Sequence, residues 1–363
     1  MIDQHCHSVT LADLDAPAFA SLLTESDRLP PPSMCRSVFD SALGLAVRRW
    51  CPPALGLPAH TPMTDYLSRR RELGPAEATR RLLTGTGISH CLVDTGLTAA
   101  AGHPLLPLPA LAELSGAQVR EVVRLESVAE SVDAPAADWA SAVEAALHTA
   151  CAHAVAVKSV LAYRHGLAIP ADRPRPAEVT RAAAAQRPGR RLTDPVLLRQ
   201  LLWTAVDLGL PIQLHTGFGD PDLTLHRADP SLLTDFVRAV EPTGTPLVLL
   251  HAYPYHRQAA WLAQAFPHVY ADLGLTLSYT GPRAAAVLGE YLDLAPFGKL
   301  LFSTDAYGLP ELYAVGAAQY RHALAGLLAD WQADGACTTA DAGRITGLLS
   351  VENSRRLYRL GSP

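Results

Sequence analysis

Lysine is almost missing from this chain. Of its 30 cationic residues only Lys158 and Lys299 are lysine; the rest are arginine. Acidic residues outnumber the cations by 35 to 30, for a formal net charge of -5 and a pI near 6.3. That balance leaves no excess positive charge for a phosphate backbone, so nucleic acid is not an expected partner. C-x-x-C spacing is absent too. The six cysteines, at 6, 35, 51, 91, 151 and 337, are scattered, which argues against a thiolate zinc site or a disulfide frame and for reduced thiols in a cytosol. No apolar run reaches membrane-spanning length. No charged stretch followed by an apolar one opens the chain as a secretory signal would. Repeats and low-complexity tracts are lacking. The expectation is a cytoplasmic protein with no membrane partner.

What is present is apolar bulk. The chain has 363 residues, 49% hydrophobic and 18% charged, enough for a large core and one or two domains by length. Abundant alanine, 29 prolines and the preference for arginine fit a GC-rich coding bias. Under such a bias a surviving lysine marks a role that arginine cannot fill.

Eight short β-rich runs are spaced along the chain: Met1–His5, Ile88–Asp94, Val119–Leu125, Ala154–Leu161, Pro211–Leu214, Pro246–Leu250, Val269–Leu273 and Leu300–Ser303. Between the later ones lie helical patterns at Trp139–Ala152, Asp194–Leu208, Ser231–Val240, His256–Ala265 and Arg283–Leu294, and Glu311–Leu360 reads as closing helices. Alternation of this kind predicts a parallel sheet, and eight units predict an α/β fold, a (β/α)8 TIM barrel over residues 1–363. Residues 11–80 show no strand pattern. Helical stretches at Leu11–Leu29, Ser37–Trp50 and Thr64–Leu83 are broken by Pro30-Pro31-Pro32 and by the proline-rich residues 51–58. So long a connection after one strand predicts a helical insertion, or cap, over the site.

The first strand carries His5-Cys6-His7. Residues two apart on a strand share a side, so both imidazoles aim at one point and Cys6 faces away. Barrel active sites lie at the C-terminal strand ends. There the sequence places Lys158 on strand four, His215 on strand five, His251 on strand six and Asp305 on strand eight. Singly, each has a bland explanation: a core histidine, a turn aspartate, or Lys158 paired with Glu126. Together, four histidines and an aspartate at strand ends point to a metal centre. Arg164, after Tyr163, could clamp a carboxylate or pair with a loop acid. Phe218, Tyr253, Tyr255, Tyr279 and Tyr307 fall in strand-end loops as candidate pocket walls, with Trp50 and residues 51–58 closing over them. Asp3, Gln4 and Ser303 are candidates to orient the imidazoles.

The segments Asp3-Gln4-His5-Cys6-His7, Val157-Lys158-Ser159, Leu214-His215-Thr216-Gly217, Leu250-His251-Ala252-Tyr253-Pro254 and Ser303-Thr304-Asp305 together resemble the metal-dependent amidohydrolase superfamily. The match is to its amidohydrolase 2 group, which includes decarboxylase-like enzymes, and it is similar to the hydrolase-like domain fused to glutamine-synthetase-like proteins. The resemblance implies that His5, His7 and Asp305 hold one divalent metal, and that His215 and His251 hold a second or lend a ligand to the first. It implies that Lys158 bridges two ions after carboxylation by CO2. Zn is the first expectation, at one or two ions per chain, with Mn, Fe or Ni as alternatives. Asp305 and His251 would be the catalytic groups, with Tyr163, Arg164 and Tyr253 binding substrate. The implied reaction is hydrolysis of a C–N bond in a small carboxylate-bearing molecule. A metal-dependent decarboxylase or other C–C lyase would use nearly the same residues and stays open. A non-catalytic domain is a further alternative, against which stands the complete ligand set. The expected partner is a small molecule, and a homo-oligomer is compatible with the chain.

Overall fold

Short β-rich runs joined by helical crossovers can pair only in parallel, and they do. In the computed structural model, which describes residues 1–26, 28–31 and 37–361, eight strands form one sheet in chain order. They are β1 (Ile2–Cys6), β2 (His90–Asp94), β3 (Gln118–Arg124), β4 (Ala156–Ser159), β5 (Ile212–Thr216), β6 (Leu247–His251), β7 (Val269–Asp272) and β8 (Leu300–Leu301). Every neighbouring pair is parallel. The ring is completed where the chain after β8 meets β1: Gln4 N–H donates to Phe302 O at 3.1 Å, Asp305 N–H to His5 O at 3.0 Å and His7 N–H to Ala306 O at 2.8 Å. This is the expected (β/α)8 barrel, with each expected strand present and its ends slightly shifted.

The crossover helices follow their sequence signals. Helix Pro195–Leu208 starts with Asp194 accepting from Val196 N–H and Leu197 N–H, has proline at its first position, and stops at Gly209, where φ is 69°. Its face Leu197, Leu198, Leu201, Leu202 and Ala205 is buried in the core between sheet and helices.

Residues 11–80 contain helices Ala16–Ser21, Ala42–Ala54, Met63–Leu73 and the start of Pro75–Thr84. Asp27 of the expected first helix, Pro32 of the expected break and Cys35 lie outside the described residues. Several expectations differ from the structure. The helix expected over Leu11–Leu29 is, among the described residues, only Ala16–Ser21. Pro52 and Pro53 do not end the second helix, which runs on to Ala54; the Arg48 carbonyl that Pro52 cannot serve accepts from His60 N–H at 2.6 Å. The run Thr64–Leu83 is two helices, because Gly74 adopts φ 79° ahead of Pro75. Trp50 does not reach the cavity at the strand ends. Its indole donates to Gln319 Oε1 at 3.1 Å, on the long helix Pro310–Ala333.

Inside the barrel the side chains form layers. The lowest is apolar: Ile2, Leu92, Val122, Ala156, Val248, Leu250 and Leu301, plugged from below by Leu357, Tyr358 and Leu360. Above it lies a polar layer in which Gln213 Nε2 donates to Gln4 O, Gln4 Oε1 and Tyr358 Oη at 2.7, 3.0 and 3.0 Å. Gln4 in turn donates to Asp272 Oδ2 at 2.6 Å. Gln4 and His5 both touch Gln213, although strict alternation would send adjacent residues to opposite faces. A register shift between Asp3 and Cys6 accommodates both.

A buried ion pair fastens the insertion. Arg70 Nε donates to Glu311 Oε1 at 2.8 Å, and Tyr66 Oη to the same oxygen at 2.9 Å; the Arg70 and Glu311 side chains are 3% and 0% exposed. Removing one charge strands the other. Glu311→Ala should therefore destabilise the protein by about 3–5 kcal/mol in urea unfolding, while Arg70→Met with Glu311→Leu should recover most of the loss. Equal losses in the single and double variants would show that the pair is not the fastening.

Candidate metal centre

Strand ends bring the charged groups to one mouth of the barrel. His5, His7 and Asp305 each offer a ligand atom, and these three lie within 4.8 Å of one another. His5 Nε2 is 3.1 Å and His7 Nε2 3.6 Å from Asp305 Oδ1, while His251 Nε2 is 3.5 Å from Asp305 Oδ2. The ring centroids of His215 and His251 are 4.8 Å apart, and Tyr163 lies against His215 at 4.4 Å with its ring tilted by 48°. Lys158 Nζ lies 3.1 Å from His5 Nε2. It does not pair with Glu126, whose carboxylate accepts from Ser159 Oγ at 2.6 Å and Val160 N–H at 3.0 Å.

The imidazoles are held in one tautomer. His5 Nδ1 donates to Gln213 Oε1 at 2.8 Å, an oxygen identified by the donor contacts of Gln213 Nε2. His7 Nδ1 donates to the Asp94 carbonyl at 3.2 Å. Both Nε2 lone pairs are thereby left facing Asp305. Three acceptor atoms turned toward one another repel unless a cation joins them. His215 Nε2, His251 Nδ1 and Asp305 Oδ1 are buried without a hydrogen-bond partner among the described residues. This donor set fits a divalent metal of borderline softness.

Backbone strain puts two of these groups in place. His251 has φ 66° and Asp305 φ 48°, a region that costs a non-glycine residue of order 1–3 kcal/mol. His251 is locked there by its N–H to Asp272 Oδ1 at 3.2 Å and by Thr276 Oγ1 and Tyr291 Oη donating to its carbonyl at 2.6 and 2.7 Å. Asp305 follows Thr304, whose N–H and hydroxyl donate to Asp3 at 2.9 and 2.5 Å. Asp3 thus acts on Asp305 through Thr304 rather than on an imidazole, Gln4 reaches His5 only through Gln213, and Ser303 neighbours Asp272.

Electrostatics follow from burial and neighbours. Burial works to raise the Asp305 carboxyl, but the His251, His5 and His7 imidazoles outweigh it and hold the group well below the carboxylate range. Burial lowers His215 and His251 well below their ordinary value and brings His5 to about 4, assisted in each case by the Lys158 charge. Burial also lowers Lys158 to about 8, against the pull of Asp94 and Asp305.

These groups open into a cavity of about 700 Å³, also lined by Glu25, Arg124, Tyr163, Arg164, Tyr279 and Tyr307. Arg164 reaches the wall with one nitrogen 3.1 Å from Glu130. Tyr253 is not on this wall. It stacks on His256 and lines an adjoining groove with Phe218 and Tyr279. Several site residues went unread in the sequence. Asp94 and Arg124 end β2 and β3, so the strand-end rule applied to all eight strands would have found them. Asp272 ends β7 and would have been found in the same way; Gln213 lies two residues before His215 on β5 and was not singled out. Glu25 has no sequence signal; its carboxylate accepts from Tyr279 Oη at 2.8 Å, and burial raises it to about 7.

A barrel with imidazoles and a carboxylate converging at its C-terminal strand ends defines a metal-centre architecture. The amidohydrolase family model matches residues 109–360, and the chain belongs to that family, a superfamily of metal-dependent hydrolases that use a divalent metal. Protein fluG of Emericella nidulans is 33% identical over 225 residues, which cover 57% of this chain and 26% of that protein; the chain thus spans about a quarter of its relative. A structure from Lactobacillus casei, provisionally described as a metal-dependent hydrolase, superposes with a TM-score of 0.80 at 26% identity, covering 99% of this chain and 95% of the other. The fold is shared with a uronate isomerase of Thermotoga maritima, at a TM-score of 0.60, 14% identity, and 99% and 94% coverage. No helix among the described residues is long and apolar enough to cross a membrane.

Two outcomes are expected. His5→Ala, His7→Ala and Asp305→Ala should each lose most of the bound metal in elemental analysis of protein made without chelator; full metal content in all three would refute the ligand set. The second concerns Asp94. Burial opposes its charge, but Arg124 holds its carboxyl well below the ordinary value. A depressed carboxyl stabilises the fold above its unfolded pKa, about 4, and the contribution disappears as pH falls further. The urea-midpoint gap between wild type and Asp94→Asn should therefore shrink from pH 5 to pH 3. A constant gap would mean that the charge of Asp94 is immaterial.

Proposed function

We propose that the chain is an amidohydrolase-type enzyme that hydrolyses a C–N bond of a small, carboxylate-bearing substrate. The observation that carries this reading is the Asp305 carboxylate, 3.1, 3.6 and 3.5 Å from the Nε2 atoms of His5, His7 and His251 and lining the cavity. A divalent cation, Zn before Mn, Fe or Ni, held by His5, His7 and Asp305 would polarise a carbonyl and acidify a water. Asp305 Oδ2 accepts the water proton and delivers it to the departing nitrogen. His251, with Nε2 3.5 Å from that oxygen, orients the carbonyl. His215 and Lys158 would be the ligands offered to a second ion. The Lys158 amine would become one through carbamate formation, in which nitrogen attacks CO2 and loses a proton. Tyr163 and Arg164 line the cavity and contact the substrate beyond the reacting bond.

The test is product analysis in oxygen-18 water with N-acyl amino acids, small amides and aromatic carboxylic acids. The expected result is label in a product carboxylate with release of an amine. Activity should vanish in Lys158→Ala and return in part with short carboxylic acids. CO2 release with no label in the organic product would replace this reading with a lyase.

A further inference from the structure

One arginine, Arg124, is built into the lining of the cavity beside Lys158. Arg124 ends β3 and stands in direct register with Lys158 on β4. Two cations opposite each other on adjacent strands repel, and both line the cavity. Arg124 Nε and Nη2 donate to one oxygen of Asp94, at 3.1 and 2.6 Å. Its Nη1 makes no hydrogen bond to a described residue. The side chain lies across Gly96, where a Cβ would fall 2.3 Å from Arg124 Nε and 2.4 Å from Cδ. Gly96 N–H in turn donates to the other Asp94 oxygen at 2.8 Å. The guanidinium is therefore fixed before any ligand arrives, with Nε and Nη2 spent on Asp94 and the side chain lining the cavity.

Asp94 has a second task. Its backbone carbonyl accepts from His7 Nδ1, so one residue positions both the metal-facing imidazole and the guanidinium. Arg164 and Arg191 also line the cavity and are also paired with acids, Glu130 at 3.1 Å and Asp222 at 2.5 Å; what sets Arg124 apart is its register with Lys158 and its packing across Gly96.

We propose that Arg124 receives the substrate carboxylate and, through Asp94, sets it a short distance from the reacting bond. The substrate class is then an amide whose carboxylate lies a few bonds from the scissile carbonyl, as in an N-acyl amino acid or a half-amide of a short dicarboxylic acid. Only the identity of the cleaved bond rests on the hydrolase reading; recognition of the carboxylate does not. A planar fork already held on one edge loses little freedom when its other edge accepts a carboxylate.

Isothermal titration of the protein as purified, and again after chelation, with succinate, glutarate and their neutral diamides tests this. Wild type should bind the dicarboxylates in both states and the diamides far more weakly. Arg124→Met should weaken dicarboxylate binding roughly tenfold or more, as loss of a charged hydrogen bond does, and leave diamide binding little changed. Because Arg124→Met strands the Asp94 charge, the double variant Asp94→Asn/Arg124→Met serves if the single one fails to fold. Gly96→Ala, which keeps both charges but pushes the guanidinium aside, should reproduce the loss. The proposal is overturned if wild type binds no dicarboxylate, if binding disappears on chelation, or if folded variants bind within twofold of wild type. Arg124-dependent binding without label incorporation from oxygen-18 water would keep the clamp and discard the hydrolase reading. Hydrolysis with Arg124-independent binding would do the reverse.

Discussion

Closure of the barrel is the constraint on which the site depends. The first strand and the segment after the last are joined there: Asp3 takes two hydrogen bonds from Thr304, and His5 O takes the Asp305 N–H. Only when β1 and the segment after β8 lie side by side does the Asp305 carboxylate face His5 and His7. The same contacts hold Asp305 at a positive φ that an isolated turn would leave. The strand-end geometry and the closure of the sheet are thus one event, and the carboxylate is ordered only in the folded barrel.

The polar layer beneath transmits that order upward. Tyr358, from the last helix, donates to Gln4 Oε1 at 2.5 Å, and Gln4 and Tyr358 fix the amide of Gln213. Gln213 then fixes the tautomer of His5. Such a network is costly if any member lacks a partner; here each contact sets the next. Between the apolar plug and the ligand mouth, the barrel interior converts packing into a defined lone-pair direction.

The two surviving lysines illustrate why arginine could not replace them. Lys158 Nζ approaches a single ring nitrogen of His5 in a buried space. Lys299 Nζ donates to the carbonyls of Phe266, Pro267 and Val269 and lies 4.7 Å from the Tyr270 ring centroid. Both positions take one compact nitrogen, and at Lys299 its donors point several ways, which a planar guanidinium does not supply. Scarcity in the sequence pointed to geometry in both cases, but only one of the two lies at the site.

The eight strands, their order and the residue types at the ends of strands one, four, five, six and eight were legible from the sequence, because period and spacing are local properties of a chain. Helix ends were less so: Pro52 and Pro53 were overridden by His60 supplying a hydrogen bond from outside the helix. The pairing of His5 with His7 could be read from their separation of two, whereas the bulge that turns Gln4 and His5 inward together could not. Nor could the partnership of Asp94 with Arg124, the tautomers set by Gln213 and the Asp94 carbonyl, or the place of Glu25. Periodicity says which side of its own strand a residue faces. Which faces meet is decided by register, closure and backbone strain, and these exist only once the strands are assembled.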